Sequence, residues 1–193
     1  MRRIELPYDT ATLARFLIGK TLVRDAPEGR TSGRIVETEA YVPGDASGHA
    51  YVGETQRNRS LFLRRGHAYV YFIYGVHYCV NISAERPGIG AGALIRGLEP
   101  VDGIDVMQRR RGTQRLTDLA RGPGRLAQAM AIDRSLDGVD VCATGPLWLA
   151  DEVRPAGRIK ASVRIGISKE TARLLRFYEA GNPHVSGPPA LRR

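Results

Sequence analysis

From residue 21 to about residue 100 the chain reads almost entirely as β-structure, and this stretch does most to limit the fold. Residues 21–23, 34–41, 67–73, 78–83 and 93–98 are rich in β-branched and aromatic side chains, bounded by Gly, Pro, Asn, Asp and Ser. Residues 74–77, Tyr-Gly-Val-His, suit a tight connection between the third and fourth runs. Before this block, Asp9 or Thr10 can cap a short helix through Leu13, Phe16 and Leu17 that Gly19 closes. After it, helices are predicted over 102–110 and 123–132, Pro123 standing where a helix start tolerates it. Short strands follow at 147–149, 161–167 and 177–178, and residues 181–193 are expected to be irregular with a mobile tip. The expected fold class is α+β: a single mixed domain over residues 1–193, with a mainly antiparallel curved sheet, a protruding β-hairpin and a few surrounding helices. Nothing in the pattern reads as a doubly wound nucleotide-binding fold.

A chain of 193 residues with 42% hydrophobic residues can bury a real core and is not disordered. It has no apolar run long enough to span a bilayer and no secretory apolar segment after Met1-Arg2-Arg3. Cys79 and Cys142 have no paired spacing, so buried thiols are expected and the cytoplasm is the expected compartment. The formal net charge is +9, and 26 of the 29 basic residues are arginine. The arginine preference alone fits compositional bias as well as function; the charge excess points to a polyanion, DNA or RNA before a membrane surface.

On a strand, Glu37, Glu39 and Tyr41 share one face, and Val36, Thr38 and Ala40 the other. Two carboxylates beside an aromatic ring can wall a polar pocket, one of them acting as general base on water. Taken alone, the segment favours an exposed, charged strand face without chemistry. Six of the eight tyrosines fall between Tyr41 and Tyr78. Rings near positive charge suit unstacked bases, at about 1–3 kcal/mol per stacked base. Packing in a sheet core is the competing use, expected for Tyr69 and Phe72 and less for a ring at the turn. Arg57, Arg59, Arg64 and Arg65, then Arg109, Arg110, Arg111, Arg115, Arg121 and Arg125, are candidates for a phosphate track. Residues 88–92 read as a flexible turn rather than a dinucleotide loop, and residues 121–125 as either a phosphate-holding loop or a plain junction. His49, His67, His77 and His184 lack metal-ligand spacing, so neither a metal nor another cofactor is expected. None of Lys20, Lys160 and Lys169 falls in the pocket segments, which favours attack by water over an amine nucleophile.

Together the segments 34–41 (RIVETEAY), 57–59 (RNR), 69–75 (YVYFIYG), 79–83 (CVNIS), 94–100 (LIRGLEP) and 175–178 (LRFY) resemble the alkyladenine (3-methyladenine) DNA glycosylase family, from the first helix nearly to the C-terminus, in the manner of a bacterial member. The resemblance implies a monofunctional hydrolase of base excision repair, without lyase activity, that flips alkylated or deaminated purines (the 3-methyladenine, hypoxanthine and ethenoadenine class) out of duplex DNA. It implies that Glu39 activates the attacking water, that Arg96 and the backbone at Ile165 help to hold it, and that Tyr41, Tyr71 and His49 enclose the base. It further implies that Asn81 crowds the amino group of guanine and that Tyr74 inserts into the duplex; phosphate contacts are expected of Arg57 and Arg59 from the clustering of basic residues. A monomer in the bacterial cytosol is expected, with damaged duplex DNA as partner and no membrane. Two readings compete: a non-catalytic damaged-DNA binding module of the same fold, and a hydrolase of free nucleosides. Glu39 beside Tyr41 argues against the first, and the arginine excess with Tyr74 at a turn against the second.

Overall fold

A computed structural model describes residues 1–73 and 75–191. Its organising element is β2 (Gly29–Tyr41), a long strand flanked by β1 (Thr21–Ala26) and β5 (Gly92–Asp102), both antiparallel to it. Beyond β5 lie β4 (His77–Ser83) and β3 (Ala68–Ile73); beyond β1 lies β6 (Leu147–Ala150). β1 pairs only with the first half of β2, and β8 (Arg176–Glu179) takes the same edge further along, at Glu37, Thr38 and Glu39. β7 (Ile159–Ser162) then pairs with β8. Eight antiparallel strands thus form one continuous curved sheet, and the fold is α+β as expected.

Helix α1 (Thr10–Phe16) packs on β2 and β5, its start fixed by the Asp9 carboxylate accepting from the Thr12 N–H at 2.7 Å. Between β5 and β6 come α2 (Ile104–Arg111), a short α3 (Leu116–Leu119) that the pattern does not predict, and α4 (Pro123–Ala129). Four residues bury too little apolar surface to leave a periodic signal. The main core lies between these helices and one sheet face, with Leu13, Leu17, Ile35, Ile82, Ile95 and Leu98 fully or almost fully buried. The β3–β4 hairpin runs out to Ile73 and His77, with Phe72 and Val76 exposed near its tip. Phe72 is therefore a correction: its alternation turns it outward, where its ring meets Tyr78 with centroids 4.9 Å apart. At the hairpin's flank, a Cβ on Gly124 would lie 2.8 Å from the His77 ring, so α4 backs closely onto β4.

Three expectations need correcting along β2 and its partners. The face carrying Glu37 and Glu39 is not exposed; both carboxylates are completely buried. The register between β2 and β5 slips on both sides of Glu37. Such a bulge interrupts strict alternation, and Val36 leaves Thr38 and Ala40 to join Tyr178 and Val185. Finally, the strand predicted over 161–167 ends at Ser162, because the following residues turn away from the ladder toward the site described below. The loop at 88–92, expected as a flexible turn, packs so closely that a Cβ on Gly90 would lie 2.4 Å from the Phe62 ring. The tail is likewise irregular but not loose as far as Ser186, since His184, Val185 and Ser186 are buried. Cys79 is buried, Cys142 half-buried, and both are free thiols. Among the described residues no helix is long and apolar enough to cross a membrane.

Candidate active site

The bulge of β2 and β5 brings Glu37, Glu39 and Arg96 together in the interior. The Arg96 guanidinium bridges both carboxylates: its Nε donates to Glu37 at 3.0 Å and its Nη1 to Glu39 at 3.1 Å. Their surroundings then differ. Glu37 also accepts from Arg176 Nε at 2.7 Å, from the Ser186 N–H at 2.5 Å and from the Ser186 hydroxyl at 2.9 Å. Burial pushes its carboxyl up, but the two guanidinium groups and these donors outweigh it and hold Glu37 below the usual carboxylate range. Glu39 has fewer donors: Arg96, the Ile165 N–H at 2.7 Å and the Tyr41 hydroxyl at 3.1 Å. Here burial dominates, with repulsion from Glu37 added, and the Glu39 carboxyl lies above its ordinary value. Two neighbouring carboxylates pushed apart in this way suit different tasks, one structural and one able to take a proton.

Tyr41 connects this pair to a half-open pocket. Its ring lines the pocket together with Tyr71, His49 and Asn81, while Leu61 and Gly92 complete one wall. The Tyr71 ring stacks on Tyr69 with centroids 5.2 Å apart, and His49 meets Tyr71 edge-on at 4.5 Å. His49 Nδ1 lies 2.9 Å from the Tyr69 hydroxyl, in hydrogen-bond contact. Burial of the imidazole and the nearby Arg57 lower the His49 pKa, favouring the neutral ring. Burial raises the Tyr41, Tyr69 and Tyr71 hydroxyls, Tyr69 to about 12, so these rings stay uncharged. An aromatic slot, with the lining Asp45 balanced by Arg164 and the buried Glu39 carboxylate behind it, can hold a flat heterocycle and activate a water against it.

Compared with a model of known families, residues 5–183 match the methylpurine-DNA glycosylase family. The chain belongs to that family. Three relatives, each named "Putative 3-methyladenine DNA glycosylase", come from Mesorhizobium japonicum, Paraburkholderia phytofirmans and Methanoculleus marisnigri. The first is 66% identical over 190 residues, 98% of this chain and 91% of the relative. The second is 50% identical over 189 residues, 98% and 89% of the two chains. The third is 46% identical over 182 residues, 92% and 94%.

Within this methylpurine-DNA glycosylase framework, the structure brings Glu39, Arg96 and the Ile165 backbone together, and sets Tyr41, His49, Tyr71 and Asn81 around one pocket. Ile165 enters through its N–H, which bonds Glu39, while its neighbours Gly166 and Ile167 line the pocket. Tyr74 lies outside the described residues. Arg57 and Arg59 are exposed on either side of Asn58, whose buried amide donates to the His49 carbonyl at 2.9 Å. Asn58 thereby ties the segment carrying both arginines to the His49 segment that lines the pocket.

The wider phosphate track changes. Arg65 is buried, stacks on Tyr8 at 3.7 Å and donates to the Leu6 carbonyl, so it is structural. Arg115, Arg121 and Arg125 converge on Asp118, and Arg109 pairs with Asp105. Such exposed pairs are weak and can exchange partners. Lys169 does not line the pocket, but its ammonium lies 5.9 Å from the ring of Tyr51, which does. Among the described residues, no three His, Cys, Asp or Glu side chains cluster as metal ligands.

Sequence reasoning missed Asp45, Arg164, Arg176 and Ser186, all buried around Glu37, Glu39 and Tyr41. Arg176 sits in the matched segment 175–178 and was visible there as a motif member. The others belong to loops, where no periodicity reports burial.

Proposed function

We propose that the chain is a monofunctional DNA glycosylase of base excision repair, which flips alkylated or deaminated purines of the 3-methyladenine, hypoxanthine and ethenoadenine class from duplex DNA and hydrolyses the N-glycosidic bond. The observation that carries this reading is Glu39, a fully buried carboxylate one hydrogen bond behind the aromatic pocket.

In the proposed reaction Glu39 takes a proton from water as its oxygen bonds to C1′ of the deoxyribose. The C1′–N bond breaks, and its electron pair leaves with the base. An alkylated, cationic purine departs neutral, and rings such as Tyr41 and Tyr71 favour the cation before it leaves; a neutral base such as hypoxanthine leaves as the anion and takes its proton from solvent. Arg96 supports the carboxylate form of Glu39, while Asn81 at the pocket wall excludes the amino group of guanine. Extrusion of the nucleotide costs a few kcal/mol, less for a damaged pair, and this supplies part of the selection. Tyr74 fills the vacated stack, and Arg57 and Arg59 hold flanking phosphates.

Single-turnover release from duplexes carrying one 3-methyladenine, hypoxanthine or ethenoadenine tests the reading. Release by the wild type that is lost in Glu39→Gln, leaving an abasic strand intact until alkali is added, is the expected result. Strand cleavage without alkali that disappears in Lys169→Ala would assign lyase chemistry instead. Tight binding to all three duplexes without release would make the chain a binding module.

A further inference from the structure

Asp45 and Arg164 form an ion pair whose two side chains are both completely buried, with contacts of 2.5 and 3.2 Å between the guanidinium and the carboxylate. A pair this deep is a poor source of stability, since desolvation offsets most of the attraction. Its cost here is greater still, because Arg164 Nε is buried without a hydrogen-bond partner among the described residues. What the pair does secure is position. Arg164 Nη1 also donates to the Ala40 carbonyl at 3.0 Å, and its guanidinium lies 4.7 Å from the centre of the Tyr41 ring, held against β2. The next residue, Ile165, is the one whose N–H points at Glu39. On the other side, Asp45 accepts from the Ser47 N–H at 2.9 Å, and its carbonyl accepts from Gly48, the residue before His49.

We infer that the Asp45–Arg164 pair is a clamp that fixes the Ile165 N–H on Glu39 and the Tyr41 ring and His49 loop around the pocket, so that both are positioning residues for the proposed hydrolysis. This assignment rests on the glycosylase reading; Asp45 borders the pocket, but its carboxylate is fully buried against Arg164. The clamp acts on Glu39 through the Ile165 N–H and, by way of the Tyr41 ring, through the Tyr41 hydroxyl. The groups facing that carboxylate are Arg96 from β5, Glu37 and Tyr41 from β2, and the Ile165 N–H from the 163–167 loop; Arg176 from β8 stands behind Glu37. Of these, the Ile165 N–H is the one attached directly to the clamp. Loosening the clamp removes a donor that favours the ionised form, and Glu39 then holds its proton to higher pH.

The test compares Arg164→Lys and Asp45→Asn with wild type, using Glu179→Gln as a control that breaks a buried ion pair away from the pocket. Single-turnover release is measured against pH, and the Ile165 amide of ¹⁵N-labelled protein is followed by NMR over the same range. In the clamp variants release should fall by about 10²-fold, the scale of a misplaced catalytic group. The acidic limb of the profile should move to higher pH, and the Ile165 amide should lose its pH-dependent shift. In the control neither the limb nor the amide should change. Lower release with an unmoved limb and an unchanged amide would reduce the pair to a structural role and overturn the inference, as would wild-type release. The amide readout needs no turnover and survives failure of the glycosylase reading. If Asp45→Asn does not fold, Arg164→Lys, which keeps the charge but not the forked geometry, decides on the same readouts.

Discussion

The hydroxyl of Tyr41 donates to Glu39 Oε2 at 3.1 Å, so one side chain serves both as pocket wall and as partner of the buried carboxylate. A ring bound in the pocket therefore rests on the residue that bonds the proposed base. Under the proposed function this contact ties recognition to chemistry over two residues of one strand.

Replacing either glutamate by glutamine should have opposite signatures. Glu39→Gln should cut single-turnover release by at least about 10²–10⁴-fold, the usual contribution of a positioned base, while lesion-duplex affinity stays near wild type. Glu37→Gln should cost more stability at pH 7, because it leaves Arg96 and Arg176 sharing one fewer negative charge in the interior. Thermal unfolding beside release kinetics checks both; equal destabilisation by the two changes would contradict the division of roles.

The pH profile should carry the same asymmetry. Glu39 must be ionised to accept a proton, and its carboxyl is raised by burial, so release should rise with pH through a value above the ordinary carboxylate range. For stability the sign follows: a raised folded-state pKa contributes stability below the unfolded value that is lost as pH rises through the folded one. Glu37, held low, contributes stability that is lost only as pH falls through its depressed value. An acidic limb at the position of a free glutamate would count against burial of the base.

Away from the site, Glu179 couples the sheet to the tail. Despite its burial, the Arg34 guanidinium, the Gly157 N–H and Asn182 bring its carboxyl down to about 2. Stability from this group is present above the unfolded glutamate value and is lost as pH falls toward 2. Glu179→Gln should destabilise by about 3 kcal/mol at pH 7, since it leaves the buried Arg34 with Glu99 alone. Denaturant titrations at pH 7 and pH 3 should show a smaller difference at the lower pH; a constant difference would sink the assignment.

Asn81 lines the pocket on β4. Under the proposed selection, Asn81→Ser opens space at that wall and should raise release of undamaged guanine several-fold, as measured from long duplexes without lesions. No increase would place discrimination elsewhere, in the cost of flipping itself.

The β-rich middle of the chain, the Asp9 cap and the Glu37, Glu39, Tyr41 face were legible from sequence because alternation and capping are local. The segment 34–41 also placed the carboxylate and the ring two residues apart, as a strand requires. What local pattern could not tell was whether that face meets water. β8 and the tail decide it: Arg176 and Ser186, about 140–150 residues downstream, close over Glu37 and leave it buried. The same holds for the missing second half of the strand predicted over 161–167. Those residues have strand-like composition, yet Arg164 reaches Asp45 and the Ile165 N–H serves Glu39 instead of a ladder. Sequence alone thus determined most of the strands, the charge and the candidate residues of one strand face, because these depend on neighbours within a few positions. Only the tertiary structure determined which of two adjacent carboxylates is neutralised and which is left poised. That difference depends on donors brought from distant loops into a space that excludes water.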